Sequence, residues 1–405
     1  VIPFHTLMRI STPRLESEPD TYPAPHPEQL RRLLHVLLLF SSLLGRIPPL
    51  LLTPAWLASA AIAAWPWSGL RLPVAALGVF GILVDGISLS LLSTYGRSYG
   101  PATPPLLALA VVRALLSLLM GLISPMPWMF LVLTLLQLLI SAVVVYSTWI
   151  EPFRLTVTHH SLQNPMLRER GTVRLLHLSD LHVERITKRE RELVQRVQEL
   201  KPDVLVLTGD YLNISYTEDK QAQSDARNLL DQLCESVAGP VFAVTGSPLV
   251  DLASVIPKIF AGLPITWLMD ESQCIVIKGE RVRFSGLRCA GDRCRDALRL
   301  NHLLEAYAQA CFTVLLYHTP DLMPEAVAAG VDLYLCGHTH GGQLRVPLFG
   351  ALVTSSRFWK RYEMGRYEEG NTTLYVNRGL GMEGFGAPRA RFLAPPEIAV
   401  WDISC

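Results

Sequence analysis

Six side chains in this sequence are of types that bind metal ions and recur at matching places: Asp180, His182, Asp210, His318, His338 and His340. The tightest grouping is the GHTHGG run at 337–342, which follows the apolar residues LYLC. Two histidines one residue apart, just past a buried strand, can turn their imidazoles toward one point. The flanking glycines let the backbone bend sharply and come close to a ligand. A His-x-His pair can equally be a solvated turn, so its weight comes from the stretches upstream that end the same way. VRLLHLS runs into Asp180-Leu-His182, DVLVLTG into Asp210, and FTVLLY into His318. Two carboxylates and four imidazoles form a mixed oxygen and nitrogen set suited to Mn, Fe, Zn or a mixed pair. A carboxylate such as Asp210 can bridge two ions. Two ions about 3.5–4 Å apart clamp a phosphoryl group and lower the pKa of a bound water for in-line attack. Asp210, His338 and His340 are the residues expected to carry catalysis.

The elements that must position these groups begin at Val173, where the sequence changes to alternating strands and helices. The runs VRLLHL, DVLVL, VFAV, RVRFSGL, FTVLLY, DLYLC, TLYVN and EIAVWDI read as strands. TKRERELVQRVQEL and the stretches near 222–236, 297–311 and 320–329 read as helices. This alternation argues for an α/β architecture, in which ligands gather where loops leave the carboxyl ends of strands. All six residues stand at such ends.

Asp180-Leu-His182, Gly209-Asp210, His318 and Gly337-His-Thr-His340 together resemble the calcineurin-like metallophosphoesterase superfamily. The longer matches GHTHGGQLRVP and LYVNRGLG are similar to its membrane-associated YkuE/YaeI-type phosphodiesterase branch. The resemblance covers about 170–403. It implies an αββα sandwich with a dinuclear centre between loops. Asp180, His182 and His340 would hold the first of two divalent ions, His318 and His338 the second, and Asp210 would bridge.

One departure from the family pattern follows the third strand. Where the family has Gly-Asn-His, with Asn on the second ion and His protonating the leaving group, this chain has Gly246-Ser247-Pro248. Ser247 is a weaker neutral ligand, and Pro248 neither donates a proton nor binds metal. Loss of a general acid costs about 10²–10⁴-fold for a poor leaving group and much less for a good one. Asp251 is near in sequence, with nothing to show that it points inward.

The N-terminal part is organised differently. Of 405 residues, 50% are hydrophobic and only 18% charged, and the apolar excess lies between 33 and 148. Residues 1–32 form a polar tail ending in Arg31 and Arg32. The apolar stretch 33–44 is too short to cross a bilayer as a helix. Four stretches of spanning length follow, at about 47–67, 72–94, 104–123 and 126–148, with Trp56, Trp65, Trp67 and Trp128 near their ends as interfacial aromatics. Asp85 and Arg113 are the charges inside them, expected to pair with each other or to snorkel. Arginines 31, 32, 97 and 154 against Arg71 place tail and C-terminal domain in the cytoplasm if there are four crossings. The expected domains are thus the tail (1–32), a transmembrane all-α region (33–149), a linker (150–172) and the metallophosphoesterase domain (173–405). Seven cysteines without a CxxC pair read as single thiols. In the segment 347–362, apolar residues beside Arg357, Lys360 and Arg361 read as a lid or a lipid-facing surface, or as a plain long loop.

The function expected is a multi-pass cell-membrane enzyme hydrolysing a phosphodiester, phosphomonoester or pyrophosphate. A lipid or lipid-linked substrate is favoured by location and by analogy with the UDP-2,3-diacylglucosamine pyrophosphatases of the superfamily. The alternative is a weakened metal- or phosphate-binding regulatory module, suggested by Ser247-Pro248. A net charge of +1 offers no electrostatic case for nucleic acid.

Overall fold

The computed structural model describes residues 41, 43–167, 171–305, 311–384, 386 and 389–405. The tail at 1–32, its two arginines and most of the stretch 33–44 lie outside them, as do residues 306–310 of the helix expected at 297–311.

Four apolar helices come first: α1 (Thr53–Ala64), α2 (Arg71–Thr94), α3 (Thr103–Ile123) and α4 (Pro127–Val145). Proline opens α1, α3 and α4, where a missing N–H leaves no bond unmade. α2, α3 and the segment Pro127–Phe153 are long and apolar enough to cross a membrane. The 24 residues of α2 extend about 36 Å, against roughly 30 Å of hydrocarbon. The first of the four expected spans is shorter than the sequence suggested. Pro49–Ala64 is a short apolar helix; Trp65 keeps helical geometry, and Pro66 follows, which has no N–H to carry the helix on. Three long helices and one short one therefore replace four equal spans. Trp65 and Trp128 are exposed at the bundle end far from the C-terminal domain, as interfacial aromatics should be. Trp56 and Trp67 instead pack inside, and the Trp67 indole donates to the Ser117 carbonyl at 2.8 Å.

Asp85 and Arg113 do pair, buried between three helices. Arg113 Nε and Nη2 donate to Asp85 Oδ2 at 2.9 and 2.7 Å. Nη1 donates to the Gln137 carbonyl and side chain, and Nη2 also to Ser141 Oγ. Every guanidinium N–H is used, so the pair stitches α2, α3 and α4 together. Arg113→Leu strands the Asp85 carboxylate and should cost about 3–5 kcal/mol, whereas the double change Asp85→Leu with Arg113→Leu should recover most of it. Thermal unfolding of the detergent-solubilised protein measures both.

The C-terminal part is a four-layer sandwich. In chain order it holds β1 (Thr156–Gln163), β2 (Val173–Leu178), α5 (Lys188–Leu200), β3 (Val204–Leu207), α6 (Lys220–Glu235), β4 (Val241–Ala243), α7 (Ile256–Phe260) and β5 (Ile265–Trp267). Then come β6 (Glu271–Ile277), β7 (Glu280–Gly286), α8 (Arg293–Glu305), β8 (Phe312–Leu316), α9 (Met323–Ala328) and β9 (Leu333–Cys336). Last are β10 (Arg345–Val346), β11 (Gly350–Ala351), β12 (Gly365–Glu369), β13 (Thr372–Val376) and β14 (Glu397–Ser404). One sheet runs β1-β14-β2-β3-β4-β5 and the other β12-β13-β9-β8-β7-β6.

Alternation along the strands explains the layering. In β2 and β3, Leu176, Leu178, Leu205 and Leu207 face the layer of α5, α6 and α7. Their neighbours Leu175, Val204 and Val206 face the second sheet, against Phe284, Val314 and Leu335. Phe242 stacks on Phe284 across the middle, with centroids 4.5 Å apart. α8 and α9 cover the outer face of the second sheet.

The segment expected as a linker at 150–172 is corrected by β1, which pairs in parallel with β14 over its whole length. As an edge strand its burial alternates between half-buried and exposed, so TVTHHSLQ has no apolar run to betray it. All seven cysteines are free thiols.

The helical bundle sits directly on the sandwich. The loop after α2 meets it through the Tyr99 amide, which donates to Glu184 at 2.9 Å, and the Tyr99 carbonyl, which accepts from Tyr216 at 2.6 Å. Beyond α4, Glu151 accepts from the Ala394 amide at 2.6 Å, and the Ser147 carbonyl accepts from the Arg391 amide at 2.8 Å. The 95–103 loop and the segment after 148 thus share one end of the bundle.

Candidate metal centre

The strand ends of both sheets meet at one point, and all six residues singled out by the sequence converge there. Asp180 and His182 leave β2, Asp210 leaves β3, His318 leaves β8, and His338 and His340 leave β9. Donor atoms of Asp180, His182 and His340 lie within 4.8 Å of one another, and so do those of Asp210, His318 and His338. The two trios share a wall. Asp210 Oδ2 is 3.2 Å from His318 Nε2 and 3.7 Å from His182 Nε2, so its carboxylate stands between them.

The backbone is bent to bring this about. Five of the six residues have positive φ: Asp180 50°, His182 41°, Asp210 57°, His338 71° and His340 51°. Such conformations cost side-chain-bearing residues energy and gather at functional sites. Close approach of the loops also requires glycine. A Cβ on Gly246 would lie 2.1 Å from Asp210 Oδ1, and one on Gly337 would lie 2.0 Å from Asp180 Oδ2.

Hydrogen bonds behind the site fix which imidazole nitrogen faces it. His318 Nδ1 donates to the Thr208 carbonyl at 2.7 Å and His182 Nδ1 to the Leu212 carbonyl at 3.2 Å. The Nε2 atom of each is left pointing inward, the orientation a metal ligand needs. His182 Nε2 lies 3.0 Å from His340 Nε2, and His318 Nε2 lies 3.2 Å from His338 Nδ1. Asp180 accepts the His338 amide at 3.0 Å, tying the first loop to the last.

The electrostatics call for a cation. Burial pushes the Asp180 carboxyl up. Burial acts on Asp210 in the same sense, but the imidazoles of His318, His182 and His338 hold it well below the usual carboxylate range. Burial opposes charge on His318, yet the carboxylates of Asp210 and Asp180 hold it protonated well above the ordinary histidine value. His338 is pushed down to about 3 by burial and by His318, and His340 is also held low by burial. Two buried carboxylates and four converging imidazoles make a hard and borderline donor set that fits divalent ions.

Ser247 enters this site. Its amide donates to Asp210 Oδ1 at 2.6 Å, and its hydroxyl is 3.3 Å from Asp210 Oδ2 and 3.1 Å from His318 Nε2. Asp251 does not enter. It accepts the amides of Asp210, Tyr211 and Gly246 at 2.9, 3.0 and 2.6 Å, clamping the loops from behind. Burial, and then the Asp210 charge, raise its carboxyl to about 7.

Sequence reasoning passed over Glu383 and Arg391. Glu383 Oε2 lies 3.5 Å from His182 Nε2 on a side chain 39% exposed, and it groups with His182 and Asp210 within the same 4.8 Å reach. Fully buried Arg391 stands 3.3 Å from His340 Nδ1 and donates to the Arg378, Gly379 and Ala394 carbonyls. The signal for Glu383 was its place in GLGMEGFG, a glycine-rich loop leaving the carboxyl end of β13.

A calcineurin-like phosphoesterase model matches residues 173–247. The chain is 26% identical over 268 residues to the uncharacterized metallophosphoesterase YkuE of Bacillus subtilis, a match covering 64% of this chain and 88% of that protein. It is 30% identical over 214 residues to phosphodiesterase YaeI of Escherichia coli, covering 51% and 75% respectively. It is also 24% identical over 310 residues to UDP-2,3-diacylglucosamine pyrophosphatase LpxG of Chlamydia trachomatis, covering 63% and 91%.

Proposed function

This chain belongs to the calcineurin-like phosphoesterase family, in its YkuE/YaeI-type branch, and is a metal-dependent phosphoester hydrolase; on that premise we propose that it is anchored in the cell membrane and acts on a lipid or lipid-linked phosphate ester. The observation that carries the proposal is the seating of the metal-type cluster on the end of an apolar bundle, with Glu184, Arg391 and Ala394 bonded to bundle backbone or side chains.

In this reading Asp180, His182 and His340 hold one divalent ion, His318 and His338 the other, and Asp210 lies between, with Ser247 a weak additional donor to the second. Glu383 is a further carboxylate within reach of His182. Two divalent ions bound there would polarise the phosphoryl oxygens and acidify water. The protein's own part is to converge the donors and to hold His182 and His318 by their Nδ1 protons so that both rings keep one orientation. It also presents the ester at the bundle end. Hydrolysis forms a bond from water oxygen to phosphorus and breaks the bond to the leaving oxygen, which takes up a proton. The domains proposed are the apolar bundle and the sandwich from β1 to the C-terminus. Arg46, Arg97 and Arg154 near the sandwich end, against Arg71 at the other, support a cytoplasmic sandwich. The name of the LpxG relative, which specifies a diacylated sugar nucleotide, supports the lipid class.

Detergent-purified protein is expected to hydrolyse diacyl phosphate esters in the presence of Mn²⁺. Turnover confined to soluble nucleotides would refute the lipid assignment while leaving a phosphoesterase.

A further inference from the structure

Resting on the lipid reading above, we propose that the cleft between the helical bundle and the sandwich binds an acyl chain of the substrate. A cavity of about 590 Å³ opens there, within the roughly 300–1,000 Å³ of sites that enclose small molecules. One wall is made by α3 and α4, including Ala108, Val112 and Val143. The other belongs to the sandwich and includes Leu344, Leu352 and Phe392. The lining is mostly apolar, with Ser147, Thr148 and Arg345 among its few polar residues, so it suits hydrocarbon and offers no ladder of polar partners for a peptide backbone.

Three observations join this cavity to both the metal centre and the surrounding membrane. First, Ala390 and Phe392 line it, while Arg391 between them turns the other way and stands 3.3 Å from His340 Nδ1. One short segment therefore has the cavity on one side and the metal-type cluster on the other. Second, Leu344 follows His340 by four residues, and Gln343 between them holds both neighbouring segments. Its carbonyl accepts the Phe392 amide at 2.9 Å, and its side chain accepts the Glu383 amide at 2.8 Å.

Third, the cavity is continuous with apolar surface that is exposed among the described residues. Val112 on α3 is 52% exposed. The β10–β11 hairpin beside the cavity carries Leu348, Phe349, Leu352 and Val353 on its outside, all exposed. Lys360 Nζ lies 3.4 Å from the centroid of the Phe349 ring, setting a cation at the base of this apolar tip. An apolar tip over a basic base is the layout of a surface that dips below headgroups. The ligand these features select has a hydrocarbon tail entering from the bilayer side and a phosphate ester at its head, which reaches the loops of His340 and Glu383. A diacyl phosphodiester has that form.

The test uses the p-nitrophenyl phosphodiesters of dibutyrylglycerol and dipalmitoylglycerol in mixed micelles, with bis-p-nitrophenyl phosphate as the chain-free reference. All three release the same leaving group and differ in hydrocarbon. The wild type should favour the dipalmitoyl over the dibutyryl ester by about tenfold or more in kcat/KM. Ala108→Trp or Val112→Trp, which fill the cavity from its helical wall, should abolish that preference. If the wild type shows no preference, both the lipid reading and the cavity proposal fail, and hydrolysis of bis-p-nitrophenyl phosphate shows that the hydrolase survives. If the preference persists in both tryptophan variants, the acyl chain binds elsewhere and the cavity proposal alone is overturned. Should neither variant fold, wild-type protein is irradiated with phosphatidic acid bearing a diazirine on its palmitoyl chain. Adducts on Val112, Val143, Leu352 or Phe392 support the cavity, and their absence from all four overturns it.

Discussion

Asp210→Asn should lower kcat/KM for bis-p-nitrophenyl phosphate by about 10³-fold or more, since the divalent ions we propose it helps to hold would supply several kcal/mol of transition-state stabilisation. The substitution keeps shape and changes charge. Asn still accepts the Ser247 amide that now bonds Asp210 Oδ1 at 2.6 Å. Its amide nitrogen, however, would direct hydrogens at the inward Nε2 atoms of His318 and His182, 3.2 and 3.7 Å from Oδ2. The carboxylate that stands between the two trios is lost, and bound metal should fall with turnover while the fold persists. Circular dichroism, metal content and initial rates on the same preparation check this. Full metal content with full activity would show that Asp210 does not hold the centre together.

The second large effect is a gain. Pro248→His combined with Ser247→Asn should raise the rate on esters with poor leaving groups by about 10²-fold, the lower end of what a general acid contributes, and should change p-nitrophenyl esters little. The site can accept both side chains. Ser247 already reaches Asp210 and His318, so the longer amide extends a contact that exists. Pro248 follows at the head of a turn closed by the Val250 and Asp251 amides on the Ser247 carbonyl, in which residue 248 donates nothing. Parallel rate measurements on alkyl and p-nitrophenyl phosphodiesters decide the matter. An equal response of both ester classes would mean that leaving-group protonation already has a provider, and the regulatory-module alternative would lose its chief support.

How far the sequence disclosed this molecule depends on burial. Strands such as VLVL and FTVLL are covered on both faces and therefore appear as continuous apolar runs, each ending in the polar residue that the site uses. That is why Asp180, His182, Asp210, His318, His338 and His340 could be picked out and why the structure brings them together. β1 stayed hidden because its exposed edge needs no apolar run, and its partner β14 lies at the far end of the chain. Strands β5, β10 and β11 are too short for any periodicity to register. Glu383 carries no pattern of its own, being one carboxylate in a glycine-rich loop, and only the fold sets it 3.5 Å from His182. Asp251 shows the converse. Near the site in sequence, it spends both oxygens on backbone amides. The seat of the bundle on the sandwich was equally invisible, since contacts such as Tyr99 with Glu184 and Glu151 with Ala394 join residues far apart in sequence.

The account rests on two divalent ions held by these loops. Its most direct test is the metal content of the purified full chain, read by mass spectrometry beside hydrolysis of bis-p-nitrophenyl phosphate before and after chelation. The proposal predicts two ions per chain, turnover that disappears with the ions, and recovery when Mn²⁺ is returned. A chain that binds no divalent ion, or hydrolysis indifferent to their removal, would contradict it.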